Sequence, residues 1–278
     1  MKSIFDQVSA RCCRNLARTY STSFSLGIFF LDRNLRGPVN SIYAFVRLAD
    51  EIVDSFQGYA QERLLMEFWT DTFRAIEEGI SLNPVLHSFQ ATVNRYRIDH
   101  LLIEKFLDSM AMDLDRQMHD EESFSSYVRG SAEVVGLMCL WVFCDGDENA
   151  CRALEKPAMS LGSAFQKVNF LRDLSHDYNQ LNRSYFPDLD LTDFTPEKKR
   201  EIERDIHGEL RIALDGIRRL PSNARFGVYV TYVYYRALLR KIEGRPGQQL
   251  LRQRLRLPNY QKFALLIQSF LRFKLGVL

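Results

Sequence analysis

The sequence predicts an all-α protein of roughly ten helices around a central cavity. Two observations predict it. Apolar residues recur at helical spacing between the prolines of the 278-residue chain, and the alternation of a half-buried strand is scarce. Two segments, residues 43–54 and 166–177, each place aspartates four residues apart, one turn along a helix, with apolar neighbours on both flanks. Such stripes look inward. There is no glycine-rich phosphate loop, no βαβ rhythm and no fixed repeat. No linker is long enough to argue for a second domain, so residues 1–278 read as one.

In chain order, residues 3–20 form a helix with Ile4, Phe5, Val8, Cys12 and Leu16 on one face. Ser21, Thr22, Ser23, Phe24 and Ser25 interrupt it. They read either as a cap or turn, or as hydroxyl and backbone donors to an anion. Residues 36–55 carry Tyr43, Arg47, Asp50 and Asp54 along one stripe. Residues 60–79 follow. Asn83 and Pro84 open a helix to residue 96, and Asp99 caps the next, through residue 118. Residues 123–144 form an apolar helix. In it Tyr127, Gly130, Ser131, Ala132 and Gly136 mark either tight helix packing or a groove for a long flat ligand. Residues 150–181 carry Gln166, Asn169, Asp173 and Asp177. A polar, aromatic loop with Arg183 and Tyr185 follows, suited to closing over a ligand. Helices at 197–220 and 223–243, a turn at residues 244–247 and an amphipathic last helix complete the chain. The eight prolines read as lying at or near segment boundaries.

Buried carboxylates are costly unless paired or metal-bound. Two facing aspartate pairs offer hard oxygen ligands, which suit Mg²⁺ held with waters and substrate phosphates; Mn²⁺ is the alternative. Arg47, Arg172, Lys167 and Arg183 stand within or beside the two stripes. They either neutralise the aspartates or bind an anion. Met110, Met112 and Met118 read as core, as do Tyr229, Tyr232, Tyr234 and Tyr235, though one or two of these rings have the option of facing a cation.

The 37 basic and 35 acidic residues leave +2, which gives no case for nucleic acid. The five cysteines show no metal spacing and read as reduced thiols of a cytoplasmic protein. There is no signal peptide and no run of 18 apolar residues. His176 is expected to face outward.

The paired aspartate motifs, Ser21 to Ser25, Asn169-Phe-Leu-Arg-Asp173 and Asn182-Arg-Ser-Tyr-Phe-Pro187 resemble the squalene/phytoene synthase family, in order and spacing, from about residue 15 to residue 245. His176 stands where many relatives carry an acid, and Leu181-Asn182-Arg183 where many have Arg-Gly-Arg. The resemblance implies an isoprenoid synthase fold and head-to-head joining of two prenyl diphosphates through a cyclopropyl intermediate. It implies that Asp50, Asp54, Asp173 and Asp177, with Asn169, hold Mg²⁺ against diphosphate. Ser21, Ser23, Phe24, Arg47, Gln166, Arg172 and Arg183 would bind substrate, and Tyr43, Tyr127 and Tyr185 would orient diphosphate or stabilise cation. Phe24, Phe29, Phe45, Phe165 and Val134 are expected as cavity walls.

The expected reaction converts two geranylgeranyl diphosphates to phytoene without NADPH. The alternatives are a farnesyl diphosphate-using squalene or dehydrosqualene synthase, and a non-catalytic relative serving in assembly or lipid binding. Apolar products suggest peripheral membrane contact, and the last helix is the segment suited to it.

Overall fold

The structure is a computed structural model that describes residues 2–114, 120–176, 186 and 194–276. Every regular element among them is helical. The first half builds one core. α1 (Lys2–Tyr20) and α5 (Pro84–Tyr96) pack on α3 (Arg33–Asp54), with α4 (Gln61–Glu78) and α6 (His100–Leu114) behind. Phe45 of α3 is fully buried there, stacked on Phe89 at 3.9 Å and beside Phe68 and Phe106. The helix starts follow the side chains that cap them. Ser21 Oγ accepts from Phe24 N at the head of α2 (Thr22–Phe29), and Asn83 accepts from Val85 N ahead of Pro84.

The second core joins α7 (Glu121–Val128), α9 (Glu148–His176), α10 (Pro196–Arg219) and α11 (Ser222–Glu243). The short α12 (Gly247–Leu250) and the last helix, α13 (Asn259–Lys274), complete the chain. α8 (Val134–Phe143) passes between the two cores, next to a π-helical turn at Arg129–Glu133.

Three sequence expectations need correction. Ser21 alone breaks the chain; Thr22 to Ser25 are already helical, because the Ser21 cap lets α2 start at once. The apolar helix of residues 123–144 is interrupted by the π turn, a widening often found at functional sites. Pro38 and Pro157 lie inside α3 and α9 rather than at boundaries. A mid-helix proline costs a hydrogen bond. At Pro157 the ring packs where Gly216 of α10 leaves room: a Cβ on Gly216 would come within 2.2 Å of it.

Candidate active site

A cavity of about 440 Å³ lies between the two cores. Its lining runs along α3 from Val39 to Asp50 and along α9 from Leu154 to Arg172. Eighteen residues of helix at 1.5 Å each span about 27 Å, so the space is long. Arg47, Asp50, Arg172 and Arg254 mark one end, the mouth. Leu31, Val39, Phe143, Leu154 and Leu220 line the other. The small residues of the former groove-or-packing question do both jobs. Ser131, Ala132 and Gly136 line the cavity, while a Cβ on the facing Gly162 would lie 2.5 Å from the Ala132 carbonyl oxygen.

On the α3 side of the mouth, burial pushes the Asp50 carboxyl up to about 7, and the neighbouring charge of Asp54 pushes the same way. Arg47 only partly offsets them. Its Nη1 stands 3.9 Å from Asp50, its other terminal nitrogen pairs with Glu51, and its guanidinium lies over the Tyr20 ring at 4.4 Å. Among the described residues, the Arg47 Nε is buried without a hydrogen-bond partner.

On the α9 side, Asn169 accepts from the Tyr235 hydroxyl at 3.2 Å. Arg172 donates to Asp173, Nε to Oδ1 at 3.0 Å. Arg254 donates to the same carboxylate, Nε to Oδ1 at 2.7 Å and Nη2 to Oδ2 at 3.2 Å. Lys262 donates to Thr22 Oγ1 at 2.6 Å. Burial, then the charges of Arg256 and Arg172, holds its ammonium below the usual lysine range. An anion at this mouth would relieve that crowding of cations.

Just inside the mouth, Phe24 lies within about 6 Å of Tyr43, Phe165 and Tyr235, and Phe165 stacks on Tyr235 at 3.9 Å. Burial pushes the Tyr43 hydroxyl up to about 12, so it stays protonated and able to donate. Tyr127 is buried and lines the cavity, its hydroxyl donating to Asp113 at 2.9 Å.

The structure therefore gathers Ser21, Phe24, Tyr43, Arg47, Asp50, Tyr127, Gln166, Asn169 and Arg172 around one space. Asp54 stands one turn beyond Asp50 and Asp173 directly follows Arg172, both just outside the lining, and Ser23 is not part of it. Asp177, Arg183, Tyr185, Met118 and the side chain of His176 lie outside the described residues. Lys167 does not reach the mouth: it sits on the far side of α9, paired with Asp205 and Glu209 of α10. Of the expected walls, Phe24 and Phe165 hold. Phe45 and Val134 belong to the first core, and Phe29 is 55% exposed.

Arg254 and Lys262 were not expected at the site, and of the four tyrosines read mainly as core Tyr235 lines the cavity. The signal for Arg254 and Lys262 was present, since the chain holds seven cations and no acid from Gly244 onward.

The donor set fits a divalent cation. Asp50, Asp54 and Asp173 offer hard oxygens and Asn169 a fourth, and burial, then the charge of Asp54, raises the Asp50 carboxyl. Among the described residues, no three acidic, His or Cys side chains stand close enough to hold a metal by themselves. The fit is that of an ion shared with waters and substrate phosphate oxygens.

A long apolar cavity with carboxylates, cations and capped helix ends at its mouth defines the class: an all-α enzyme acting on a prenyl diphosphate. The squalene/phytoene synthase family model matches residues 17–261, and the chain belongs to that family, whose members are prenyltransferase-type enzymes. A phytoene synthase of Arthrospira platensis is 28% identical over 95% of this chain and 93% of its own length. A 15-cis-phytoene synthase of Synechococcus elongatus is 25% identical over 94% and 92%. Among solved structures, a dehydrosqualene synthase in complex with ligand superposes with a TM-score of 0.81, at 20% identity over 97% of this chain and 98% of the other. The fold is that of the isoprenoid synthases. No helix among the described residues is long and apolar enough to cross a membrane.

Proposed function

We propose that the protein condenses two geranylgeranyl diphosphates head to head, through a cyclopropyl intermediate, to phytoene. The observation that carries this reading is the shape and polarity of the cavity: about 16 Å of apolar wall along α9, from Leu154 to Phe165, beneath a mouth rich in aspartate and arginine. The relatives named phytoene synthase support the twenty-carbon choice.

When bound, Mg²⁺ would supply Lewis-acid stabilisation of the leaving diphosphate, held by Asp50, Asp54 and Asp173 with Asn169; Asp177 would complete the set. Arg47, Arg172, Arg254 and Lys262 would hold the phosphate oxygens, with Ser21 and Gln166 as neutral contacts and Arg183 as a further cation expected from the sequence. Charge aimed at the departing diphosphate lowers the barrier to breaking the allylic C–O bond. The carbocation is then attacked by the double bond of the second chain, with loss of a proton, to close the three-membered ring. The second diphosphate leaves, the skeleton rearranges, and a final proton loss gives the central triene. The reaction ends on deprotonation, so no NADPH is consumed. The rings of Tyr43 and Tyr127 would offer their faces to the cation, as the sequence also expects of Tyr185, and the Phe24–Phe165–Tyr235 wall would exclude water. Products this apolar make membrane contact part of the reading.

The second reading is a farnesyl diphosphate-using enzyme, favoured by the likeness to a dehydrosqualene synthase. Incubation of the protein with Mg²⁺ and either geranylgeranyl or farnesyl diphosphate, without and with NADPH, separates them by mass spectrometry of the apolar extract. A forty-carbon product from geranylgeranyl diphosphate alone supports the proposal. A thirty-carbon product from farnesyl diphosphate replaces it, and no product from either overturns both.

A further inference from the structure

α13 is mounted with its apolar side outward. Tyr260, Phe263, Ile267, Phe270, Leu271 and Leu275 are between 47% and 75% exposed. At 100° per residue they fall within one arc of about 140°. Ser269, on the opposite side, is buried, and the helix is seated by that side. Tyr234 donates to the Lys262 carbonyl at 2.8 Å, and Phe226 of α11 packs against Phe273 at 4.9 Å. A surface helix of a soluble domain shows the reverse pattern. The arc is continued by Phe29 of α2, also exposed, through a chain of rings: Phe29 on Phe30, Phe30 on Phe226, Phe226 on Phe270.

Charge says what this face meets. From Gly244 to the C-terminus there are seven basic residues and no acidic one; the rest of the chain has 30 basic against 35 acidic. Lys274 lies over the Phe270 ring at 5.7 Å, where its ammonium can reach past the apolar arc. Arg36 lies over Phe29 at 5.1 Å in the same way. An apolar arc edged with aromatic residues and cations matches the interface of an anionic bilayer. A two-fold contact with a second copy would set this acid-free segment against itself, cation to cation.

We propose that the outer face of α13, with Phe29, docks on an anionic lipid surface. The inference rests on the proposed function for its purpose: the first turn of α13 carries Lys262 beside Thr22 and Arg172, so a docked helix sets the cavity mouth against the phase in which prenyl chains dissolve.

The test is co-sedimentation of the full chain, without metal or substrate, with vesicles of phosphatidylcholine alone or mixed with phosphatidylglycerol. The expected result is binding to the mixed vesicles, weakened by salt, and little binding to phosphatidylcholine. Phe263→Ser with Ile267→Ser should weaken partition at least tenfold. Arg272→Gln and Lys274→Gln should each weaken it about fivefold. All four positions are outside the cavity lining, so turnover in detergent should stay at the wild-type level. Absence of binding to mixed vesicles, or equal binding by the serine double variant, overturns the proposal. A dimer in sedimentation velocity that the double variant dissolves would assign the face to a second copy and overturn it too. Vesicle binding by a protein that turns over neither diphosphate would leave this inference standing and remove the proposed reaction.

Discussion

Arg254 reaches across 81 positions of sequence to place its guanidinium on Asp173, Nε to Oδ1 at 2.7 Å, beside Arg172 on the same carboxylate. Two guanidinium groups meet one carboxylate at the cavity mouth, where their N–H donors would face the oxygens of a diphosphate. Arg254→Ala should therefore raise KM for the prenyl diphosphate by about tenfold or more, with the melting temperature nearly unchanged because Arg254 is partly exposed. Arg254→Lys should recover only part of the loss, since an ammonium lacks the planar fork. Steady-state kinetics on the two variants measure this, and unchanged KM in both would remove Arg254 from the site.

Asp50 carries a cost in the metal-free protein. Its carboxyl rises from 3.8 to about 7 on folding, so the folded state holds the proton more tightly than the unfolded chain. Its contribution to stability therefore falls as pH rises from about 4 to about 7, and the penalty is complete above that. Asp50→Asn should melt several degrees higher than wild type at pH 8 without metal, with the gap closing toward pH 4. The same variant should lose about a hundredfold or more in kcat. Thermal melts across pH, paired with turnover, check both signs.

The correction at Lys167 makes a contrasting expectation. Its ammonium serves Glu209 and Asp205 across the α9–α10 contact, and Ser163 donates to Glu209 at 2.6 Å. Lys167→Met strands a largely buried carboxylate and should cost up to about 3 kcal/mol of stability. The kcat of the folded fraction should be unaffected. Denaturant titration and active-site-normalised turnover separate the two effects.

The far end of the cavity sets the room available to a chain. Leu154→Trp should hinder the twenty-carbon substrate and spare a fifteen-carbon one, seen as a shift in the product ratio when both diphosphates compete. Overpacking here should cost about 1–3 kcal/mol, a value a melt would reveal.

Gly27 sits where α2 crosses α11. A Cβ there would lie 2.0 Å from Thr231 Oγ1 and 3.2 Å from the Gly227 carbonyl oxygen. Gly27→Ala should destabilise by about 1–3 kcal/mol. Adding Thr231→Ala should restore much of it by removing the nearer clash, whereas a double variant no better than the single would locate the strain in the backbone contact.

The sequence by itself determined the helical class, most helix limits to within a few residues and the stripe holding Tyr43, Arg47 and Asp50. It did so because helical period and capping are local: Asn83 ahead of Pro84, or Asp50 one turn before Asp54, are decided within a few residues. Only the tertiary structure decided which charged groups meet. Arg254 and Lys262 come to Asp173 and Thr22 from the far end of the chain, and Lys167 turns to α10 although it lies two residues before Asn169 and five before Arg172. Phe45 and Phe24 look alike in sequence, yet one fills a core stack and the other walls the cavity. A helix face is fixed by periodicity, but what stands opposite that face is set by how distant helices pack, and that packing converts paired carboxylates into a site.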